Sequence, residues 1–216
     1  MSLLPIILLG AGGHAKVVLD LIHALNRQIL GICDPGLATQ GAKVWRGLSV
    51  LGNDEVIERY APSHVELANG TGSLPGSHLR RRLHVQFTRR GYRFATLVHP
   101  SAILGSGVEL GRGVQIMAGA IVQADTRIGD NAILNTGARI DHDGDIGRHV
   151  HVAPGAVISG DVKIGKACHI GAGATLRQGI CIGSDAIIGM GTTVIVDVAS
   201  GHQQTGQPPR APRRIN

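Results

Sequence analysis

From Val98 onward every sixth residue is Ile, Leu or Val. The register runs without a slip through Leu104, Leu110, Ile116 and Val122 to Ile188 and Val194, seventeen positions in all. With about a third of residues aliphatic by chance, such a run has a probability on the order of 10⁻⁸. A six-residue period does not return to one face of a helix, so the segment is not helical. A second column, two residues earlier, is mostly small, with Ala102, Ala120, Ala132, Ala138, Gly144, Ala156, Cys168, Ala174 and Ala186 among Val108, Val114, Val150 and Val162. Residues two apart on a strand share a face, so both columns point inward. Short strands that stack every eighteen residues make a three-sided parallel β-helix, and at ~4.8 Å per coil the nearly six coils stand about 27 Å tall. Glycine follows the aliphatic residue at Gly105, Gly111, Gly129, Gly147, Gly165, Gly171, Gly183 and Gly189, where close backbone approach or turning is tight.

Composition agrees with a packed, repetitive core. The 216 residues are 43% apolar and 17% charged, which excludes disorder, and 32 Gly stand beside only five aromatics (one Trp, two Tyr, two Phe). A net charge of +6 favours anionic partners. The basic clusters Arg80-Arg81-Arg82, Arg89-Arg90 and Arg210, Arg213 and Arg214 are not interleaved with aromatics that stack bases. A phosphorylated small molecule is therefore expected, and no nucleic acid. Cys33, Cys168 and Cys181 form no CxxC pair, as in reduced, cytosolic chains. No apolar stretch approaches the ~20 residues of a membrane span, and Leu3 to Leu9 lacks the flanks of a signal peptide. The expected location is the cytoplasm.

Residues 1–97 read as a separate α/β domain. Ile6 to Leu9 is a short apolar strand, Gly10-Ala11-Gly12-Gly13-His14-Ala15 a glycine-rich turn, Lys16 to Leu25 a helix, and Ile29 to Cys33 a second strand ending at Asp34. Strand, glycine loop, helix, strand and acidic residue is the order of a mononucleotide-binding unit that seats phosphate on helix N-terminal amides. A plain strand-to-helix turn is the alternative reading. Val65 to Ala68 reads as a third strand and His78 to Arg90 as a helix. So short a segment holds half a Rossmann sheet, which suits a mononucleotide better than a dinucleotide. Between Asp34 and Leu51 no pattern is interpretable.

The GAGGHA turn, the Asn135-Thr136 to His142-Asp143 segment and the closing Gly206-Gln207-Pro208, joined to the repeats, resemble the sialic acid O-acetyltransferase family of hexapeptide-repeat acyltransferases. The branch resembled is that of the nucleotide-amino-sugar N-acetyltransferases, and the likeness covers about residues 5–209. It implies a half-Rossmann domain at 1–97 for a nucleotide-diphosphate amino sugar and a left-handed parallel β-helix at 98–199. A basic tail at 200–216 would follow. It also implies homotrimers with active sites at subunit interfaces and acetyl-CoA lying along the prism. The reaction implied is acetyl transfer to the amine of a nucleotide-linked 4-amino sugar for surface glycan synthesis.

The same resemblance assigns residues. His142, between Asp141 and Asp143, matches the general base, and a neighbouring carboxylate suits fixing its tautomer. Asp143 stands where the family carries Glu, one methylene longer, and Asp141 or Asp145 are alternative partners. Asn135 matches a position near the base. His151 matches a histidine near the acetyl or amine group, Gly160 a backbone N–H facing the thioester oxygen, and Pro208 a position near the adenine of CoA. His169, eighteen residues after His151, stacks above it and either contacts CoA or continues a column. Gly10, Gly12, Gly13 and His14 would cradle the diphosphate, and Asp34 would approach the ribose or base. His142 and His151 are nine residues apart, half a coil, so one prism holds them on opposite sides. His149 matches no family role, and Cys168 falls in the inward column and reads as core.

Three other readings compete. An O-acetyltransferase for sialic acid or a related sugar uses the same fold, and a non-catalytic trimeric scaffold needs no chemistry at all. Zinc held by three of His142, His149, His151 and His169 is the third. The paired-histidine spacing of zinc-binding prisms is absent, so no metal is expected.

Overall fold

The computed structural model describes residues 3–206. The first part is β1 (Ile6–Leu9), α1 (Gly13–Ala24), β2 (Ile29–Cys33), α2 (Pro35–Thr39), β3 (Val44–Trp45) and β4 (Leu48–Gly52). After a 3₁₀ turn at Asp54–Arg59 come β5 (Glu66–Asn69), α3 (Leu79–Arg89) and β6 (Arg93–Phe94). They form one sheet in the order β3-β4-β2-β1-β5-β6, parallel except for the β3–β4 hairpin. β1 is central and fully buried, which is why its run is wholly apolar. The strand order reverses between β1 and β5, so their C-terminal ends open onto the crevice where α/β sheets bind ligands.

Two strands, β3 and β4, lie where no pattern was interpretable. They are joined by Arg46 and Gly47, both at positive φ (47° and 84°), as a tight hairpin requires. Their residues are only partly covered, so the alternation that betrays a strand is weak. On α1 Ala15, Val18, Leu19, Leu21 and Ile22 form the buried face, and Val17 is exposed.

From Leu97 the chain winds through three stacked parallel sheets of seven, six and five strands. It forms the left-handed β-helix, with residue pairs such as Gln115↔Ile133 and Ile133↔His151 eighteen apart. Inside, the large column (Ile116, Val122, Ile128, Leu134) and the small column (Ala120, Ala132, Ala138, Ala156) make one continuous core. The turning positions are not the glycines that follow the aliphatic residues. Positive φ recurs every six residues from Gly107 to Gly191, and the column includes Asp125, Asn131, Asp143, His149 and Asp161. Asn and Asp tolerate this left-handed conformation better than other side chains. The expected tight glycines are there for contact: a Cβ on Gly129 would lie 2.5 Å from the Arg148 nitrogen, and one on Gly165 2.5 Å from that of Ser184. The winding continues past Val194, because Gln203–Gln204 pairs with Ile187–Ile188 across a coil shortened by two residues.

The outward residues differ by face. One face carries Glu109, Arg127, Asp145 and Lys163 in register, a ladder of alternating sign suited to water. Another carries Leu97, Gln115, Ile133, His151, His169 and Ile187, with no carboxylate, lysine or arginine. The N-terminal domain packs on this one. Leu97, Met117 and Ile133 share a buried cluster with Leu21 and Ile22 of α1. No described helix is long and apolar enough to cross a membrane.

Gly129→Ala is expected to destabilise the protein by about 1–3 kcal/mol in denaturant unfolding, because its Cβ collides with backbone. Gly173→Asn, at a corner with φ 65° and no atom within 4 Å, is expected to stay within ~0.5 kcal/mol of the parent.

Candidate active site

The chain turns out of β1 at Gly10, whose φ of +85° favours glycine. α1 begins at Gly13 with no side chain capping its N-terminus, and a side chain at Gly12 or Gly13 would meet nothing within 4 Å. Free amides and the positive end of the helix dipole thus face a cavity of about 1040 Å³. Gly10, Gly12, Gly13, His14, Asp34, Thr71, Ser73, Asn135 and His151 all line it, which is roomy enough for a nucleotide-sized ligand. Asp34 accepts from Ala11 N–H at 2.9 Å and from Leu37 N–H at 2.8 Å. It therefore ties the glycine loop to the start of α2, a holding role beside its expected approach to the ligand.

His14 donates from Nε2 to Gln115 Oε1 at 2.9 Å, and Gln115 Nε2 donates to the Asn69 carbonyl at 3.0 Å. Arg80 Nη1 donates to the carbonyls of Asn69 (2.8 Å) and Thr71 (3.0 Å). Prism and N-terminal domain are thus joined by a polar chain beneath the cavity. Burial and the nearby Arg80 charge lower the His14 pKa to about 4. His14 is therefore held as a neutral ring, with no positive charge to offer a diphosphate. His151 donates from Nδ1 to the Ser73 carbonyl at 2.8 Å, which leaves Nε2 as acceptor for Asn135 Nδ2 at 3.2 Å. Burial lowers His151 to about 4 as well, so it is neutral in one tautomer. His169 stacks edge-on at 5.0 Å from His151.

His142 stands elsewhere, in the corner between the other two sheets, after Arg139–Ile140 and before Asp145–Ile146. Its Nδ1 lies 2.7 Å from Asp143 Oδ2, so the shorter carboxylate does reach it. Asp141 is occupied with the turn's own backbone, accepting from His142 N–H at 2.9 Å. The Asp143 hydrogen bond, then the charges of Asp141, Asp143 and Asp161, raise the His142 pKa above 6.5. The ring lies over Gly160, where a Cβ would sit 2.6 Å from Cε1. Glycine at 160 thus makes room for the imidazole whatever its N–H binds.

Within one chain, then, Asn135 joins His151 and not His142, and His142 with Gly160 forms a second cluster facing away from the cavity. Pro208 lies outside the described residues, as do Arg210, Arg213 and Arg214. Among the described residues no three His, Cys, Asp or Glu converge as a metal site needs. Gln115 and Asn69 were missed by sequence reasoning, which took Arg80 only as one of a basic cluster. The legible signal was the uncharged eighteen-residue column from Leu97 to Ile187, which marks the prism face that is covered.

Comparison with known proteins bears on this geometry. Residues 5–83 match the PglD N-terminal domain, and residues 107–142, 143–178 and 161–195 match the bacterial transferase hexapeptide (six repeats). A solved variant of perosamine N-acetyltransferase from Caulobacter crescentus, in complex with CoA and GDP-perosamine, is 31% identical with a TM-score of 0.85 over 95% of each chain. The chain belongs to the hexapeptide-repeat acyltransferases, in their nucleotide-amino-sugar N-acetyltransferase branch. The acetyltransferase domain of PglB from Neisseria gonorrhoeae is also similar, at 31% identity and TM-score 0.86 over 94% of this chain and 97% of that one. WeeI from Acinetobacter baumannii follows at 26% and 0.84, over 96% and 99%. No curated protein matches the chain by sequence.

In this hexapeptide acyltransferase, His142 is the histidine whose surroundings favour the protonated form, whereas burial disfavours it at His14, His84, His149, His151 and His169. An NMR titration is expected to place His142 above 6.5, and Asp143→Asn is expected to lower that value by removing the stabilising carboxylate. An unchanged value in the variant sinks the pairing.

Proposed function

We propose that this enzyme transfers the acetyl group of acetyl-CoA to the amine of a nucleotide-linked amino sugar, and that it does so as a homotrimer. The observation that carries the trimer is the split of the site. The nucleotide-sized cavity with Asn135 and His151 lies on one side of the prism, and the His142–Asp143 pair lies at a far corner. Two halves on one chain make a whole only if a neighbouring copy supplies the other. The solved relatives bind CoA with GDP-perosamine, or acetyl-CoA, which supports both substrates.

In this reading the diphosphate rests on the amides of Gly12, Gly13 and His14 at the α1 N-terminus, and Asp34 holds that loop in shape. The amine sits between neutral His151 of one subunit and His142 of the next. Its nitrogen attacks the thioester carbon; the N–C bond forms, the C–S bond breaks, and His142 Nε2 receives the proton that leaves nitrogen. Asp143 holds Nδ1–H, keeps Nε2 as the acceptor and steadies the imidazolium. The departing thiolate then takes up that proton. CoA lies along the prism, with Gly160 and His169 beside it. A raised His142 pKa means that activity falls as pH drops through that value, since only the neutral ring accepts a proton.

A thiol-release assay with acetyl-CoA against uridine-, guanosine- and thymidine-diphosphate amino sugars tests the reaction, and release with none of them overturns it. His142→Ala is expected to lose ~10²–10⁴-fold in kcat while keeping measurable turnover, because a neutral amine is already nucleophilic. The same substitution in an enzyme acting on hydroxyls leaves almost nothing. Asp143→Asn moves the acidic limb of the pH profile to lower pH. His142→Ala co-expressed with His151→Ala is expected to give activity well above that of either variant alone, since mixed trimers contain one intact interface. Failure of that rescue speaks against the shared site.

A further inference from the structure

Arg80 is 3% exposed, and its Nη1 is used by two backbone carbonyls, yet its Nε and Nη2 hydrogens have no acceptor. Among the described residues no carboxylate pairs with it. A guanidinium keeps its charge, and a buried charge without a counter-charge is strongly disfavoured. Arg80 lines a second cavity, about 180 Å³, on the far side of the Ser73–Ser77 stretch from the nucleotide cavity. Two other buried polar atoms without partners belong to residues of the same cavity: Asn131 Oδ1 and His169 Nδ1. The first turn of α3 also borders it, and no side chain caps that helix and no acidic residue stands in its first turn.

The carboxylate that borders the cavity, Asp185, is paired with Arg81 at 3.7 Å and not with Arg80, so the observations at Arg80 converge on a missing negative charge. The volume exceeds the ~10–15 Å³ needed for one water several times over. An uncapped helix N-terminus and an unsatisfied arginine fork both favour an oxyanion with several acceptor atoms. The Asn131 amide joins the donors when turned so that its Oδ1 accepts from His149 Nδ1, which lies 3.0 Å from its present Nδ2.

We propose that this cavity is a binding site for a phosphate-type oxyanion, held by Arg80, the α3 N-terminus, Asn131 and His169. Its place is structural as well as chemical. The anion links α3 to the prism behind Ser73, whose carbonyl holds His151, so it braces the wall that the two cavities share. The inference does not depend on the reaction proposed above. The phosphoryl group comes from free phosphate or from a bound nucleotide.

The test is thermal unfolding of the full chain in inorganic phosphate, against potassium gluconate at equal ionic strength. A saturable rise of roughly 5 °C or more is expected at a hundredfold excess over the dissociation constant. Arg80→Gln is expected to lose this response. Asn131→Asp, which places a carboxylate facing the guanidinium at a corner that Asp tolerates, is expected to raise the melting temperature without phosphate and to abolish the response. Repeating the titration with the protein saturated in uridine or guanosine diphosphate separates the sources: an undiminished response means free phosphate, and a lost one means the nucleotide's own phosphoryl group. Equal effects of gluconate and phosphate, a full response in Arg80→Gln, or an Asn131→Asp variant that melts lower and still responds to phosphate would each overturn the proposal.

Discussion

Each coil of the prism hydrogen-bonds to the next through parallel two-residue strands, and the eighteen-residue offset of that ladder sets the position of nearly everything else. Once residue i lies under residue i+18, side chains become columns. Gly160 lies against the His142 ring, Asn131 meets His149, and His151 meets His169 for this one reason. A single-residue slip would turn the inward aliphatic column to water. The cooperative core of Ile, Leu, Val and Ala therefore does two things at once: it stabilises the winding and aligns the polar groups on its outside.

The outside is divided by charge. A column free of carboxylates, lysines and arginines accepts the N-terminal domain, and the burial that follows keeps His14, His149 and His151 neutral. The corner that holds His142 stays open to water and is ringed by Asp141, Asp143 and Asp161, which favours its protonated form. Burial and charge thus separate the histidines into neutral hydrogen-bonding groups on the side covered by the N-terminal domain and one group at the far corner whose surroundings favour its charge. The proposed site, completed by a second subunit, uses that separation.

Much of this was legible in the residues. The period of six named the prism, and the glycine-rich turn was placed between β1 and α1, where it borders the larger cavity. The choice among Asp141, Asp143 and Asp145 was not legible, since all three stand within three positions of the ring. Only the left-handed corner at Asp143 swings its carboxylate onto Nδ1, while Asp141 caps the turn's own amide. Nor were β3 and β4, whose partly covered positions carry no strong alternation. Gln115 looks like any outward strand residue until the N-terminal domain covers it.

By itself the sequence determined the winding, its period and its inward columns, because burial of aliphatic side chains is a local, repetitive demand that a linear pattern records. Tertiary structure alone decided which polar groups meet. His14 with Gln115, His151 with Ser73 and Arg80 with Asn69 span 101, 78 and 11 residues. No periodicity records such pairs: the first two depend on how one domain is laid against one face of the other, and the third on how α3 docks against the end of β5.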